Sequence, residues 1–470
     1  MSLHTLTPPP SSELAGQPPL PGEYALGRIN PLETTHVFPE TIGIDPQIAP
    51  REIVRVGVDD PYVEHLEAQR PGRVRELQAR ESSMSAYARY RRMDGGWVRE
   101  PGTPYIDAEG VTHQKRFFEY GDLVSQAEFF GKGGPLDDEA LRAWRSVIPH
   151  AYALLPLTNP TNIEMIVNRR GQPVEATELT RDWLTAGTDP WEIRNRGTIL
   201  AEEVKEVIER HAEADPEGTI TMVSVGAGTL LPTLQAAMHS GVDTKRVRIV
   251  MLENSKGSID MAEYLADELG FKGEIVAKKI DVFDPAVMEA TVTELEGQAA
   301  TVDAVGLYEY INEELRGSKA LQDKPEGYLL AEPIKFMQMI DRMVKPGGRL
   351  IIGQMRDDRP NPDFTMGVIG WPYVVMLPPA KLYDMVTEAG FGGSRTKLSL
   401  TPKGVYTMVS IDKPVPGIAD RNVQGRVGSG ALLGVTVPHQ ERRRGGLVER
   451  ARGTAHAIGA VLAGHRTVTH

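Results

Sequence analysis

From residue 194 onward the chain keeps a single rhythm, and that rhythm restricts the fold more than any other feature. Short runs rich in β-branched residues alternate with segments whose apolar residues recur every three to four positions. "TITMVSVGAG", "RVRIVMLENS", "GEIVAKKIDVFDP", "VDAVGLYEYI" and "RLIIGQM" read as strands. "RNRGTILAEEVKEVIERHAEA", "LLPTLQAAMHSG", "SIDMAEYLADELG", "AVMEATVTELEG", "AEPIKFMQMIDRMVKPGG" and "PAKLYDMVTEAGF" read as helices. A strand followed by a helix returns to the sheet by a crossover, so consecutive strands lie parallel. Only the last pair, in "TKLSLTPKGVYTMVSIDKP", lacks a helix between its strands, so an antiparallel hairpin closes the sheet. The expected fold is α/β, a doubly wound, mainly parallel seven-stranded sheet over 190–412.

The flanks read differently. Residues 1–50 are Pro-rich and polar, with no clear period, and are expected to be extended or disordered. Residues 51–189 give helical pieces, broken at Pro71, and are expected to form a mostly helical cover over the substrate side. The Phe-rich stretch 117–130 is either core or a substrate-facing wall. Residues 413–470 carry a net charge of +6 within a chain whose total is −12, which leaves −18 on the rest. This basic Gly/Arg-rich tail is expected to be disordered, and the acidic body argues against nucleic acid as its partner. The chain has no cysteine, which excludes disulfides, thiolate metal sites and a cysteine nucleophile. It has no long apolar run and no secretory signal pattern, so a cytoplasmic protein without a membrane span is expected.

The turn after the first strand of the fold, "VSVGAGTLLP", holds Gly226 and Gly228. Glycines there allow a sharp bend and a close approach of ligand to backbone, at the strand ends where doubly wound sheets bind ligands. A third glycine, as in a dinucleotide fingerprint, is missing, and there is no Gly-Lys-Ser/Thr of a P-loop. An NAD-dependent dehydrogenase is therefore disfavoured. Glu253 stands near the end of the second strand, where a carboxylate can accept both hydroxyls of a ribose. Asp281 and Val282 stand at the end of the third, placed to meet an adenine amine and its ring. Each signal alone has an ordinary structural explanation, but their order along the strands does not.

At this point the sequence resembles the class I S-adenosylmethionine-dependent methyltransferases, over roughly 190–412. The resemblance rests on "VSVGAGTLLP", "VMLENS", "KKIDVFDP", "VDAVGLYEYI", "MVKPGGRLIIG" and "VYTMVSI". It implies a Rossmann-like fold with S-adenosyl-L-methionine as cofactor. Gly226, Ala227 and Gly228 would pass under its methionine part, with Glu253 on the ribose and Asp281 and Val282 on the adenine. One position departs: Ser224 stands where the family has Asp or Glu, a residue that orients the loop and the cofactor's amino group. Arg194 or Arg196, from "WEIRNRG", could compensate by reaching the cofactor's carboxylate.

The residues after the fourth strand face both sulfonium and substrate in the family, which makes Tyr308, Glu309 and Tyr310 the expected reaction centre. Aromatic faces and a carboxylate both attract a sulfonium, and Glu309 could take a proton from an amine, hydroxyl or acid. If the strand continued this far, Tyr308 and Tyr310 would share one face and Glu309 the other. "GVIGWPYVVMLPP", 367–379, reads as a lid, a substrate wall or a buried connection, and Asn159, Thr161 and Asn162 as further pocket candidates. No metal-ligating spacing occurs among the histidines. The expected function is methylation, at N or O, of a small-molecule substrate in bacterial specialised metabolism, with a homo-oligomer as one option for its assembly. Transfer or cyclisation of the cofactor's aminocarboxypropyl group, or a non-catalytic scaffold, remain the alternatives.

Overall fold

We describe the protein from a computed structural model covering residues 27–94, 104–106, 112–114, 129–146, 148, 151–160, 166, 174–316, 321–371 and 374–415. Its strands are β1 (Arg28–His36), β2 (Glu52–Asp59), β3 (Pro104–Ile106), β4 (Thr112–Gln114), β5 (Ile220–Val225), β6 (Val247–Glu253), β7 (Glu274–Lys279), β8 (Ala299–Ala304), β9 (Val344–Met355), β10 (Thr396–Leu400) and β11 (Tyr406–Asp412). Nine of them form one sheet, in the order β1-β2-β10-β11-β9-β8-β5-β6-β7, while β3 and β4 pair separately. The strands β7, β6, β5, β8 and β9 are mutually parallel, and β11 enters antiparallel between β9 and β10. This is the expected sheet with its closing hairpin.

The expected count of seven strands is too low. β2 pairs in parallel with β10, and β1 pairs antiparallel with β2, so the N-terminal region adds two strands to the sheet edge. The sequence places residues 28–36 in an extended or disordered segment and 52–59 in a mostly helical region. β1 is mostly exposed and contains Pro31, and it is held by backbone pairing instead of an apolar face. That leaves no periodic signal in its sequence.

Every residue of β5 and of β8 is buried, as central parallel strands require. Alternate residues go to opposite faces. Val223 and Val225 join the core under the helices Pro285–Leu295, Pro333–Met343 and Pro379–Glu388. Ile220 and Met222 join the core under Thr188–Ala214, Leu231–His239 and Lys256–Glu268. On the long helix Thr188–Ala214, Val204, Val207 and Ile208 are fully buried, each contributing roughly 1.5–3 kcal/mol.

Among the described residues, five further helices precede the parallel sheet: Pro61–Gln69, Arg73–Asp94, Glu139–Ser146, Ala151–Thr158 and Glu178–Ala186. The first two are separate across Pro71, and Asp60 caps Pro61–Gln69 by accepting from the Tyr62 and Val63 amides. Trp144, Trp183 and Trp371 pack with Phe129, Phe130 and Phe364 in a third core. That core also takes Met355, at the carboxyl end of β9, and Tyr406, where β11 begins, so it lies over one end of the sheet. Of the Phe-rich stretch, only residues 129 and 130 are described, and they lie in this core. Residues 1–26 and 416–470 lie outside the described residues. Among the described residues, no helix is long and apolar enough to cross a membrane.

Candidate functional site

A cavity of about 430 Å³ lies at the carboxyl ends of β5, β6 and β8, walled on its far side by the start of helix Thr188–Ala214 and by Trp371 and Tyr406. Its floor is the turn out of β5. Gly226 and Gly228 both hold positive φ, +63° and +55°. At Gly226 a Cβ would lie 2.8 Å from the Leu307 side chain, so the close approach that forbids a side chain comes from the protein itself. Leu230 also holds a left-handed φ of 58°, uncommon for a bulky residue, and is buried. It leads into helix Leu231–His239, which begins with Pro232 and has no side-chain cap. The uncapped first turn lines the cavity through Leu231 and Thr233, and its free N–H groups favour a negatively charged or acceptor group.

Ser224, Gly226, Ala227, Gly228, Glu253, Val282 and Arg194 all line this cavity, as do Glu309 and Tyr310. Asp281 and Tyr308 do not. The Asp281 carboxylate accepts from the Phe283 amide (3.1 Å) and from the Tyr328 hydroxyl (2.8 Å), while the Val282 and Phe283 side chains form the wall beside it. Glu253 accepts the Gly228 amide through Oε2 (3.1 Å) and the Asn254 and Ser255 amides through Oε1 (2.9 and 3.0 Å). It therefore fastens the glycine turn to the end of β6, and still offers lone pairs to the cavity.

At Ser224 the hydroxyl donates to Oδ1 of Asp303 (2.9 Å), its paired neighbour on β8. Asp303 lines the cavity, and sequence reasoning passed over it. Burial pushes its pKa up to about 7. The Ser224 and Thr233 hydroxyls pull the other way, although only Ser224 meets hydrogen-bond geometry. The one available signal was a lone carboxylate inside the apolar run "ATVDAVG".

The far side is built from charged and aromatic groups. Arg196 donates to Glu309 Oε1 (3.1 Å) and lies over the Tyr406 ring, 4.4 Å from its centroid. Glu309 Oε2 is buried without a hydrogen-bond partner. Burial raises the Glu309 pKa, against the pull of Arg196. The Trp371 indole donates to the Tyr310 hydroxyl (2.9 Å), and burial holds that hydroxyl well above its ordinary pKa. Because β8 ends at Ala304, residues 308–310 form a 3-10 turn in place of strand. The alternation of a strand does not apply there. Glu309 and Tyr310 face the cavity together, and Tyr308 turns away to donate to the Pro333 carbonyl (3.3 Å).

Arg194 reaches the cavity wall, yet its guanidinium is engaged with Asp60 (2.7 Å) and with the carbonyls of Leu157, Leu184 and Thr185. Asn159 is buried, and 161 and 162 lie outside the described residues. Within 367–379, Trp371 lines the cavity and 372–373 lie outside the described residues. Among the described residues, no cluster of three or more His, Cys, Asp or Glu could hold a metal ion.

No protein-family model matches the chain, and no curated protein matches it. Solved structures do. The C-methyltransferase domain of the citrinin polyketide synthase is 13% identical with a TM-score of 0.39, covering 76% of this chain and 94% of that one. The CurJ carbon methyltransferase is also 13% identical with a TM-score of 0.39, covering 75% and 98%. Magnesium protoporphyrin IX methyltransferase from Synechocystis PCC 6803, solved with bound S-adenosylhomocysteine, is 14% identical with a TM-score of 0.30, covering 50% and 98%. The chain's own strand order is parallel β7-β6-β5-β8-β9 with β11 inserted antiparallel between β9 and β10. That order, with the glycine turn after β5, is the mainly parallel sheet with a closing antiparallel hairpin expected from the sequence.

Proposed function

We propose that the protein binds S-adenosyl-L-methionine in this cavity and transfers its methyl group to a small-molecule acceptor. One observation supports the reading above the others. A single cavity brings together the Gly226–Gly228 turn, the Glu253 carboxylate, and the half-paired Glu309 carboxylate among Tyr310, Trp371 and Tyr406. The first two suit a ribose and an amino-acid chain, and the third suits a cation beside a group that must lose a proton.

When bound, S-adenosylmethionine supplies an electrophilic methyl group. The protein's part is positioning, exclusion of water and proton transfer. Glu253 would hold the ribose while clamping the turn, and Val282 and Phe283 would flank the base. Glu309 is the proton acceptor for the incoming group. Its raised pKa makes it a stronger base than an exposed carboxylate, and Arg196 fixes its orientation. Tyr310, hydrogen-bonded to Trp371, and Tyr406 would present aromatic faces to the positive charge. On this reading residues 190–412 are the cofactor domain, 51–189 close the substrate side, and the enzyme works in the cytoplasm on an N or O acceptor.

The test is calorimetric titration with S-adenosylmethionine, followed by mass analysis after incubation with metabolite extract. Micromolar binding that weakens in Glu253→Ala, with S-adenosylhomocysteine formed in the presence of extract, is the expected outcome. Methylthioadenosine as product would mean transfer of the aminocarboxypropyl group instead. Absence of binding by the wild type would overturn the reading and favour a scaffold.

A further inference from the structure

Among the described residues, the sheet holds a buried carboxylate, Asp303, that lines the cavity and has one oxygen outside any hydrogen bond. Asp303 lies next to the end of β8, 4% exposed. Its Oδ1 is held by the Ser224 hydroxyl, and its Oδ2 has no hydrogen-bond partner. A buried carboxylate with one bare oxygen is stable only if it stays protonated or receives a donor.

Among the described residues, no cation supplies that donor. On helix Thr188–Ala214, Arg196 is paired with Glu309, and Glu203 is paired with Arg349 of β9. On helix Pro333–Met343, Asp341 pairs with Lys413 and Arg342 with Glu289, while Lys335 lies beside Gly327. Lys345 of β9 feels the charge of Asp215 at the end of helix Thr188–Ala214. Across the cavity, Arg194 is paired with Asp60, and Glu253 accepts only amides. The two side chains that act on Asp303 are uncharged, Ser224 and Thr233. The cavity that Asp303 lines is where a charged partner can reach it, and the chemistry that suits the carboxylate is that of a cationic N–H donor.

We propose that Asp303 is the seat of the α-ammonium group of the bound cofactor, with Ser224 as its positioning residue. The inference rests on the reading that this cavity takes S-adenosylmethionine. It also accounts for the departure at Ser224. In the family an acidic side chain stands at that place on the first strand. Here Ser224 and Asp303 are directly paired in the sheet, so the carboxylate has moved one strand across, about 4.8 Å, without changing its depth. Serine at 224 is then a requirement of the arrangement: a second carboxylate beside Asp303 would leave two like charges buried together.

The chemistry of the pair couples cofactor binding to a proton. With burial holding the Asp303 pKa near 7, a fraction of the free protein carries the proton at neutral pH. Docking of an ammonium ion favours the carboxylate, so the proton leaves as the ligand enters. Affinity for an ammonium-bearing ligand rises with pH up to about 7 and then levels.

The experiment compares S-adenosylhomocysteine with its desamino analogue, in which hydrogen replaces the amino group. Each is titrated calorimetrically into the full chain at pH 6 and pH 8. The wild type is expected to prefer the amino-bearing ligand by roughly tenfold or more at pH 8, and by less at pH 6. Titration near pH 6.5 in two buffers of different ionisation enthalpy is expected to show proton release for that ligand alone. Asp303→Asn is expected to bind both ligands equally, with no proton release. Equal binding of the two ligands by the wild type overturns the assignment, and this result does not depend on any variant folding. A preference that survives intact in Asp303→Asn overturns it as well. If the wild type binds neither ligand, the cofactor site itself is refuted, and the assignment with it. Ser224→Ala is expected to reduce the preference without abolishing binding of the desamino ligand.

Discussion

Asp60 and Arg194 provide a sharp test of what holds the helical region against the sheet. Arg194 uses four of its five N–H donors on partners inside the protein, Asp60 and three backbone carbonyls. Those carbonyls end helix Ala151–Thr158 and helix Glu178–Ala186, so one guanidinium ties three segments together. Asp60→Ala does two things. It leaves a buried guanidinium without its counter-charge, which costs about 3–5 kcal/mol. It also removes the cap of helix Pro61–Gln69, worth about 1 kcal/mol. The expected loss is about 4–6 kcal/mol. Asp60→Asn keeps the capping oxygen but sets an amide NH2 in place of the oxygen that accepts from Arg194, so it is expected to fall about 1 kcal/mol short of the alanine variant. Equilibrium urea denaturation followed by far-ultraviolet circular dichroism reads both, with an unchanged m-value as the control. Cofactor affinity of Asp60→Asn, measured at low denaturant, should stay within about threefold of wild type, since Arg194 is engaged away from the cavity. A stability loss below about 1 kcal/mol for Asp60→Ala would refute the reasoning.

Glu253→Ala frees the Gly228 amide and removes the acceptor offered to a ribose, so calorimetry should show at least roughly a tenfold loss of S-adenosylmethionine affinity; an unchanged Kd would remove Glu253 from the site. Gly226→Ala introduces a Cβ at positive φ against Leu307, and should destabilise by roughly 2 kcal/mol. Adding Leu307→Ala relieves the contact but not the backbone strain, so a double-mutant cycle should show partial coupling and no full rescue. His211, half-buried near Lys345 and Arg210, has its pKa lowered to about 4 by burial first and by those charges next. Above the ordinary value of 6.5 it is neutral in both states. As pH falls from about 6.5 to about 4, only the unfolded chain takes up the proton, so stability declines across that window. His211→Asn should flatten the decline in pH-dependent urea denaturation, and an unchanged slope would exclude His211 as its source. Once an acceptor is in hand, Glu309→Gln should lower kcat by roughly 10²–10⁴, with a smaller loss of affinity for the cationic cofactor; retention of full turnover would exclude Glu309 as the base.

The elements from β5 to β11 were legible because each carries its own signal. β5 and β8 are continuous apolar runs, and the helices between the strands repeat at helical spacing. The sheet edge was not legible. β1 buries little, and β2 sat beside helical pieces that coloured the reading of the whole region. Of the residues picked out on the turn and at strand ends, Gly226, Gly228, Glu253 and Val282 line the cavity, and Asp281 does not. Asp303 could not be picked out in this way, because its meaning comes from Ser224 across the β5–β8 pairing, 79 positions away in sequence. Which of Tyr308, Glu309 and Tyr310 face inward depends on where β8 stops, and β8 stops four residues before Tyr308, at Ala304. The wall formed by Trp371 and Tyr406 depends on long-range packing that no local pattern encodes.

The pairing of β2 with β10 has a consequence for how the protein is made. Glu52 through Arg55 find their partners at Lys397 through Leu400, near the far end of the folded body. On a ribosome adding about 5–20 residues per second, β2 emerges roughly 20–70 s before its partner exists. During that time Ile53, Val54, Val56 and Val58, buried in the finished protein, have no sheet edge to join. The first strands to be synthesised are thus among the last that can be placed. Chains whose synthesis stops before residue 396 carry a β-rich apolar segment with no site to receive it, the kind of exposed strand that seeds aggregation.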